Sequence, residues 1–392
     1  MDLTEYLRMM VAQDASDLFL SVGAPPAIKT EGETRIIDAP VLDSAAVSTV
    51  ADSLLDAGRK NVFDQTHEMN LTVDRQGIGR FRVNLYRQRG ETGIAIRYIP
   101  NRIPSLESLN LPPNVRDLVM LKRGLVLVVG AAGSGKSTTL AALIDYRNQH
   151  RSGHILTIED PIEFVHAHGK SIVDQREVGI DTNSYAEALK NAMREAPDVI
   201  MIGEIRDRET MEQALLYAET GQLCLATLHS NNANQTLDRI LNFFPEAAHK
   251  QVLQDLSLNL KAVLSQRLLR SASGGRRVPA VELLLQTAFV SDLILKGEIS
   301  QLKEAMKQGL DSGMLTFEES LLRLYRARRI SMDEALENAD SRSDLSLRVR
   351  LSEPLSLELE QQQRLAIDKS QEARLNEPRA GWKEEAPSAR RI

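Results

Sequence analysis

The scarcities in this chain narrow it first. Cysteine occurs once, at Cys224. A single thiol excludes an intramolecular disulfide and any four-cysteine zinc site. It lies in the apolar segment Leu223-Cys224-Leu225-Ala226, so a buried structural thiol is expected. Aromatic residues make up only 4% of the chain, and no basic stretch carries a cluster of them. That weighs against a groove for single-stranded nucleic acid. Positive charge is not in excess either. The net charge of −6 does not suggest a general nucleic-acid surface. No apolar run approaches the roughly 18 residues of a membrane span. The opening Met1-Asp2-Leu3-Thr4-Glu5 is acidic and lacks a signal-peptide pattern. The expectation is a cytoplasmic protein that meets a membrane only through a protein partner.

What is present is an ordinary globular composition over 392 residues, long enough for two or three domains. Residues 1–99 read as a small α/β module. Leu3, Tyr6, Leu7, Met10 and Val11 have helical spacing. Ala15–Leu20 reads as a strand ended by Pro25-Pro26. Asp43 is a candidate N-cap for a helix through Leu54-Leu55, with Gly58 closing it. Three strands follow, Met69–Val73, Gly79–Leu85 and Thr92–Ile99, joined by short turns. They carry Arg80, Arg82, Arg87, Arg89 and Arg97, either as solvated edge residues or as a cluster facing a nucleotide. Four prolines between Pro100 and Pro113 mark a semi-rigid linker over 100–113. Alternating strands and helices over 114–285 predict a parallel sheet with a RecA-like order. Residues 286–340 look helical. The stretch 341–392 is polar, with a fraying helix over Glu358–Ala373, an isolated Trp382, and about 20 disordered residues at its end.

The chain is organised around Gly130-Ala131-Ala132-Gly133-Ser134-Gly135-Lys136-Ser137, which fits the phosphate-cradling P-loop. The apolar run Gly124–Val129 precedes it as a buried strand, and Ser137-Thr138-Thr139 opens a helix. Backbone N–H groups of the loop and the positive end of the helix favour a phosphate. Lys136 is expected on the β/γ-phosphates of ATP, with Ser137 holding Mg²⁺.

Three further clusters sit at strand ends, where such sheets place their chemistry. In Ile155–Glu163, the residues Glu159, Asp160 and Glu163 are candidates to hold Mg²⁺-bound water or to orient the nucleophile. In Asp198–Asp207, four apolar residues lead to Gly203-Glu204. Gly203 stands where an aspartate often lies, so Glu204 must polarise the water or act through Mg²⁺. Arg206-Asp207 reads as a structural pair. In Leu225–Asn232 a strand delivers Thr227 and His229 to one edge, and His229 suits a γ-phosphate sensor. His166 and His168 lack a carboxylate framework for a metal and read as surface residues.

Together these motifs resemble the Walker A, Asp box, Walker B and His box of type II/IV secretion ATPases. Ala15-Ser16-Asp17-Leu18, Gly79-Arg80-Phe81-Arg82-Val83-Asn84 and Ile172–Gly179 narrow the resemblance to twitching-motility retraction ATPases of the PilT/PilU group. Ala131-Ala132, Gly221-Gln222-Leu223-Cys224 and the tail beyond 340 look closer to the PilU branch. The resemblance covers about residues 1–340. It implies an N-terminal PAS-like domain, a RecA-like P-loop domain with a helical C-terminal extension, and a homohexameric ring. It also implies ATP with Mg²⁺ between the two domains. The P-loop residues Gly130 to Thr138 would bind nucleotide, and Glu163, Glu204 and His229 would serve catalysis. Arg80 and Arg97 would act as arginine fingers, Arg82 matching less well. The implied partners are a paralogous retraction ATPase and the inner-membrane pilus platform protein. Three functions compete: a motor ATPase at the pilus base, an accessory subunit on a paralogue's ring, and a nucleic-acid translocase, which the acidic balance disfavours.

Overall fold

The computed structural model describes residues 2–30, 33–99, 102–275 and 277–351. The helix expected over Glu358–Ala373, the disordered end and Trp382 lie outside the described residues. Of the tail expected from 341, residues 342–351 are helical.

The first hundred residues fold as α1 (Leu3–Ala12), β1 (Asp17–Ser21), β2 (Ala27–Thr30), β3 (Glu33–Ile36), α2 (Ser44–Leu54), α3 (Ala57–Thr66), β4 (Glu68–Arg75), β5 (Gly79–Gln88) and β6 (Glu91–Ile99). The strands form an antiparallel sheet in the order β3-β2-β1-β6-β5-β4. Alternation on β5 is clean. Phe81, Val83 and Leu85 are buried, while Arg80, Arg82, Asn84 and Tyr86 between them are partly exposed. This is the period-2 pattern of a sheet with one covered face. Asp43 caps α2 as expected, accepting from Ala46 N. Gly58 does not close that helix. It lies inside α3, whose own cap is Asp56, accepting from Arg59 N. The pair β2 and β3 was also not expected, because β3 buries none of its side chains and so has no apolar alternation.

After a short 3₁₀ turn, α4 (Val115–Val119) leads into β7 (Gly124–Val129), α5 (Lys136–His150), β8 (Gly153–Glu159), β9 (Ser171–Glu177), α6 (Tyr185–Ala192), β10 (Val199–Ile202), α7 (Arg208–Thr220), β11 (Leu223–Leu228), α8 (Ala233–Asn242), α9 (His249–Asn259), β12 (Leu260–Leu269) and β13 (Val278–Leu285). The second sheet runs β13-β12-β7-β11-β10-β8-β9. All its pairings are parallel except that of β12 with β13. Every residue of β7, β10 and β11 is buried, as strands covered on both faces must be. Each fully buried Val or Leu contributes roughly 1.5–3 kcal/mol. Cys224 is among them, fully buried and unoxidised.

The helical stretch continues as α10 (Ala288–Lys296), α11 (Leu302–Gln308), α12 (Phe317–Arg326) and α13 (Met332–Glu337). It does not behave as one block. Both sheets with α10 and α11 belong to a compact unit of Met1–Arg270 and Arg276–Thr316. The helices α12 and α13 belong to a second unit, made, among the described residues, of Ser271–Gly275 and 317–351.

Candidate functional site

The strands β7, β8, β10 and β11 all point their C-terminal ends the same way, because their pairings are parallel. The loops that follow them therefore converge. The turn after β7 is the P-loop. Gly130 has a φ of 155°, and a Cβ there would fall within 2.5 Å of Gln266 O and closer still to Ser134 Oγ. Only glycine lets the loop fold this tightly. Gly133 and Gly135 also have positive φ.

The loop is built for an anion. Lys136 opens α5, is 8% exposed, and donates from Nζ to Gly130 O and Ala131 O, both at 3.0 Å. Burial lowers its pKa, while Glu204 and Glu163 oppose that shift. Ser134 Oγ is buried without a hydrogen-bond partner. A cation satisfied by neutral carbonyls beside an unpartnered hydroxyl and a helix N-terminus fits phosphate oxygens.

A cavity of about 490 Å³ opens over this loop. Ala132, Gly133, Gly135, Lys136, Ser137 and Thr138 line one side. Glu159, Asp160, Glu163, Glu204 and His229 line the others. Each strand-end cluster therefore reaches the same space. Gly130, Ala131 and Ser134 belong to the loop but not to the lining of this cavity.

The carboxylates differ sharply. Glu204 is held from both sides. Its Oε2 takes Arg206 Nε at 2.7 Å, and its Oε1 lies 3.0 Å from His229 Nε2. Arg206 also reaches Asp160 Oδ2 at 3.3 Å, so one guanidinium ties the end of β8 to the end of β10. The expected pairing of Arg206 with Asp207 is not found. Asp207 instead caps α7, accepting from Thr210 N. Glu159 is buried, and burial pushes its carboxyl up to about 7, against the hydrogen bonds that Thr157 Oγ1 and Gln175 Nε2 donate to it. Glu163 is exposed at the rim.

Gly203 has a steric reason. A Cβ there would stand 2.8 Å from Tyr185 Oη and 3.2 Å from Glu159 Cα. An aspartate there would have to push the tyrosine aside and press on the backbone of β8. Thr227 Oγ1 donates to Gly203 O, fixing the turn from the next strand.

His166 is not the surface residue that its sequence context suggests. It is 7% exposed, lines the cavity, and has an Nδ1 without a partner. Burial lowers its pKa to about 4, so it is neutral at pH 7. His168 is exposed, its Nδ1 accepting from Val173 N at 3.1 Å.

The arginines of the first sheet do not line the cavity. Arg80 pairs with Glu177 at 3.4 Å and with Asp74 at 3.8 Å. Glu177 in turn accepts from Thr72 Oγ1 and from Ile162 N, the residue before Glu163. Arg97 pairs with Asp17 at 2.8 Å. Arg82 stands opposite Arg97 in the β5–β6 register.

Residues 52–342 match the family of type II/IV secretion system proteins. The type IV pilus ATPase PilU of Pseudomonas aeruginosa is 48% identical over 90% of this chain and 92% of its own. The chain belongs to this family. PilT of the same organism, a type IV pilus retraction ATPase, is 41% identical over 86% of this chain and 98% of its own. A crystal structure of the pilus retraction motor PilT with bound ADP superposes with a TM-score of 0.84. It is 40% identical and covers 88% of this chain and 99% of that one. The family fold, an N-terminal α/β domain and a RecA-like ATPase domain, is thus the fold of this member. Tyr185 is a polar cavity residue that the sequence motifs did not single out, whereas Thr227 was placed at its strand edge and His166 was read as a surface residue. Tyr185 belongs to no spacing signature, and only the fold brings it in.

Proposed function

We propose that this family member is a cytoplasmic hexameric motor that couples ATP hydrolysis to type IV pilus retraction and twitching motility. The observation that carries this reading is Glu204, held between His229 and Arg206 across the cavity from the phosphate loop. The loop from Gly130 to Thr138 binds the phosphates, and Lys136 exchanges its two carbonyl contacts for phosphate oxygens. Glu204 takes a proton from the attacking water. Its contact with His229 orients the carboxylate and lets the imidazole report on the γ-phosphate. Glu163, at the rim, orients water from the other side.

Among the described residues, no three His, Cys, Asp or Glu side chains are grouped closely enough to hold a metal ion. A Mg²⁺ bound with the nucleotide would be held by the Ser137 hydroxyl, with Glu159 and Asp160 acting through water, the sparse protein ligation usual for this ion. The ion supplies charge neutralisation on the phosphates.

Arg80 and Arg97 are read as fingers. To serve, they must leave Glu177 and Asp17 when nucleotide and a neighbouring subunit complete the site. Guanidinium neutralises phosphoryl charge bidentately, which suits that task. The two sheets act as separate domains on either side of the linker 100–113, with nucleotide between them. Among the described residues no helix is long and apolar enough to cross a membrane. Contact with the pilus base then runs through the platform protein of the inner membrane, and a paralogous retraction ATPase is a second partner.

The test is turnover of the purified protein against its own concentration, beside Lys136→Ala and Glu204→Gln. Cooperative onset with ring formation, lost in both variants, is expected of a motor. Tight nucleotide binding in a formed ring without turnover would assign the accessory role instead. The retention of Lys136, Glu204 and His229 in one cavity favours the motor. Salt-sensitive binding of single-stranded DNA would revive the translocase.

A further inference from the structure

Tyr185 is the cavity residue whose polar atom has no account so far. It opens α6 directly after the cap residue Ser184, whose Oγ accepts from Glu187 N at 3.1 Å. The backbone at the ring is therefore fixed. The side chain is half-buried and lines the cavity. Its hydroxyl lies against Gly203, close enough that any Cβ there would stand 2.8 Å away. The hydroxyl thus sits over the peptide leading into Glu204.

Among the described residues nothing exchanges a hydrogen bond with this hydroxyl. Its surroundings are charged all the same. Burial raises its pKa most, Asp160 adds to that, Arg206 opposes it, and Glu159 and Glu204 add smaller pushes. The phenol therefore stays protonated around neutral pH, and it is a standing donor. The hydroxyl is not fully buried, so it is open to water or a ligand in the cavity and can donate to either. Phenylalanine would fill the same space without that donor.

We propose that Tyr185 is a further catalytic residue, its O–H donating to the water that attacks the γ-phosphate while Glu204 accepts that water's proton. The assignment rests on the ATPase reading above. One lone pair of the water takes the tyrosine hydrogen bond, and the other forms the new P–O bond. The bond from the γ-phosphorus to the bridging oxygen breaks, and ADP leaves with that electron pair. The tyrosine proton is not transferred. Its role is to fix the oxygen in line, which a single neutral hydrogen bond can do.

The test uses the full chain as wild type, Tyr185→Phe and Glu204→Gln. Nucleotide affinity is read with a fluorescent ATP analogue, turnover by phosphate release, and folding by thermal midpoint. The expected result for Tyr185→Phe is a kcat about tenfold lower, with nucleotide Kd and midpoint unchanged. A kcat equal to wild type would overturn the assignment. So would a loss of affinity or of midpoint that matches the loss of turnover, since the ring would then only pack. A wild type without turnover, indistinguishable from Glu204→Gln, would sink the ATPase reading and the Tyr185 role with it.

Discussion

The two sheets solve opposite problems. In the second, β7, β10 and β11 are buried along their whole length, and their chemistry is confined to the residues just past their ends. In the first, β5 carries polar side chains along one face between its buried ones. A strand covered on both faces can display function only at its tips. A strand with one open face can display it along its length. Carboxylates therefore crowd the loops of the second sheet, where a phosphate and its water would lie. Guanidinium groups are spread over the face of the first.

The largest effect that would break this contrast is chemical. If function sits at the tips of the second sheet, Lys136→Ala and Glu204→Gln should each lower ATP turnover by about a hundredfold or more, with little change in melting. Steady-state phosphate release beside a thermal melt reads both. A Glu204→Gln enzyme near wild-type rate would move the base elsewhere, with Glu163 the next candidate.

The next effect concerns where the two sheets touch. Arg80 is 19% exposed and Glu177 6% at their side chains, and Glu177 also holds Ile162 N beside the Asp-box loop. Arg80→Ala would leave a buried carboxylate without its cation, at a cost of about 3 kcal/mol or more. Denaturant unfolding should show that loss. Glu177→Gln, made on top of Arg80→Ala, should recover part of it, because the stranded charge is then gone. If Arg80→Ala abolishes turnover without destabilising, Arg80 belongs to the chemistry of the second sheet rather than to the seam between the sheets.

A smaller effect comes from the carboxyl buried inside the second sheet. Glu159 has an ordinary pKa near 4.5 when unfolded and about 7 when folded. The folded state therefore keeps a proton that the unfolded state gives up between those values. Stability from this group is fully present below about pH 4.5 and is lost as the pH rises through about 7. The difference in melting between wild type and Glu159→Gln should shift in favour of the glutamine variant over that window, by on the order of 3 kcal/mol at most. Parallel melting curves from pH 5 to pH 8.5 would mean that the carboxyl is solvated.

The contrast also explains what could be read in advance. Continuous apolar runs such as Gly124–Val129 and Val199–Ile202 announce themselves, and the motifs at their ends follow directly. The P-loop, Glu204 and His229 were legible for that reason. The short exposed strand β3 and the helix α3, whose glycine mimics a stop, were not, because each depends on neighbours rather than on its own pattern. His166 looked like a surface residue because its sequence neighbours are polar. Its burial comes from the chain folding back, where its N–H meets Gln175 Oε1 at 2.8 Å. Arg206 was placed with its neighbour Asp207, but the parallel register of β8 with β10 offers it Asp160 instead.

The smallest effect is the most discriminating for the first sheet. Arg97 is 66% exposed at its side chain, yet its Nε lies 2.8 Å from Asp17. The arginine is open to solvent but Asp17 is buried, so the pair is worth more than a surface pair and less than a fully buried one, on the order of 1–2 kcal/mol. Asp17 keeps the hydroxyl of Ser16 at 2.8 Å when the arginine is removed. Arg97→Ala should therefore melt only modestly below wild type, less than Arg80→Ala does. If its turnover in an assembled ring still falls by about tenfold or more, the guanidinium works on phosphate charge and the open face of the first sheet is part of the site. If turnover is also unchanged, Arg97 is a solvated strand residue, and the finger must be sought at Arg82, which stands opposite it in the register. Arg82→Ala in the same ring assay then decides between one finger and none on this face.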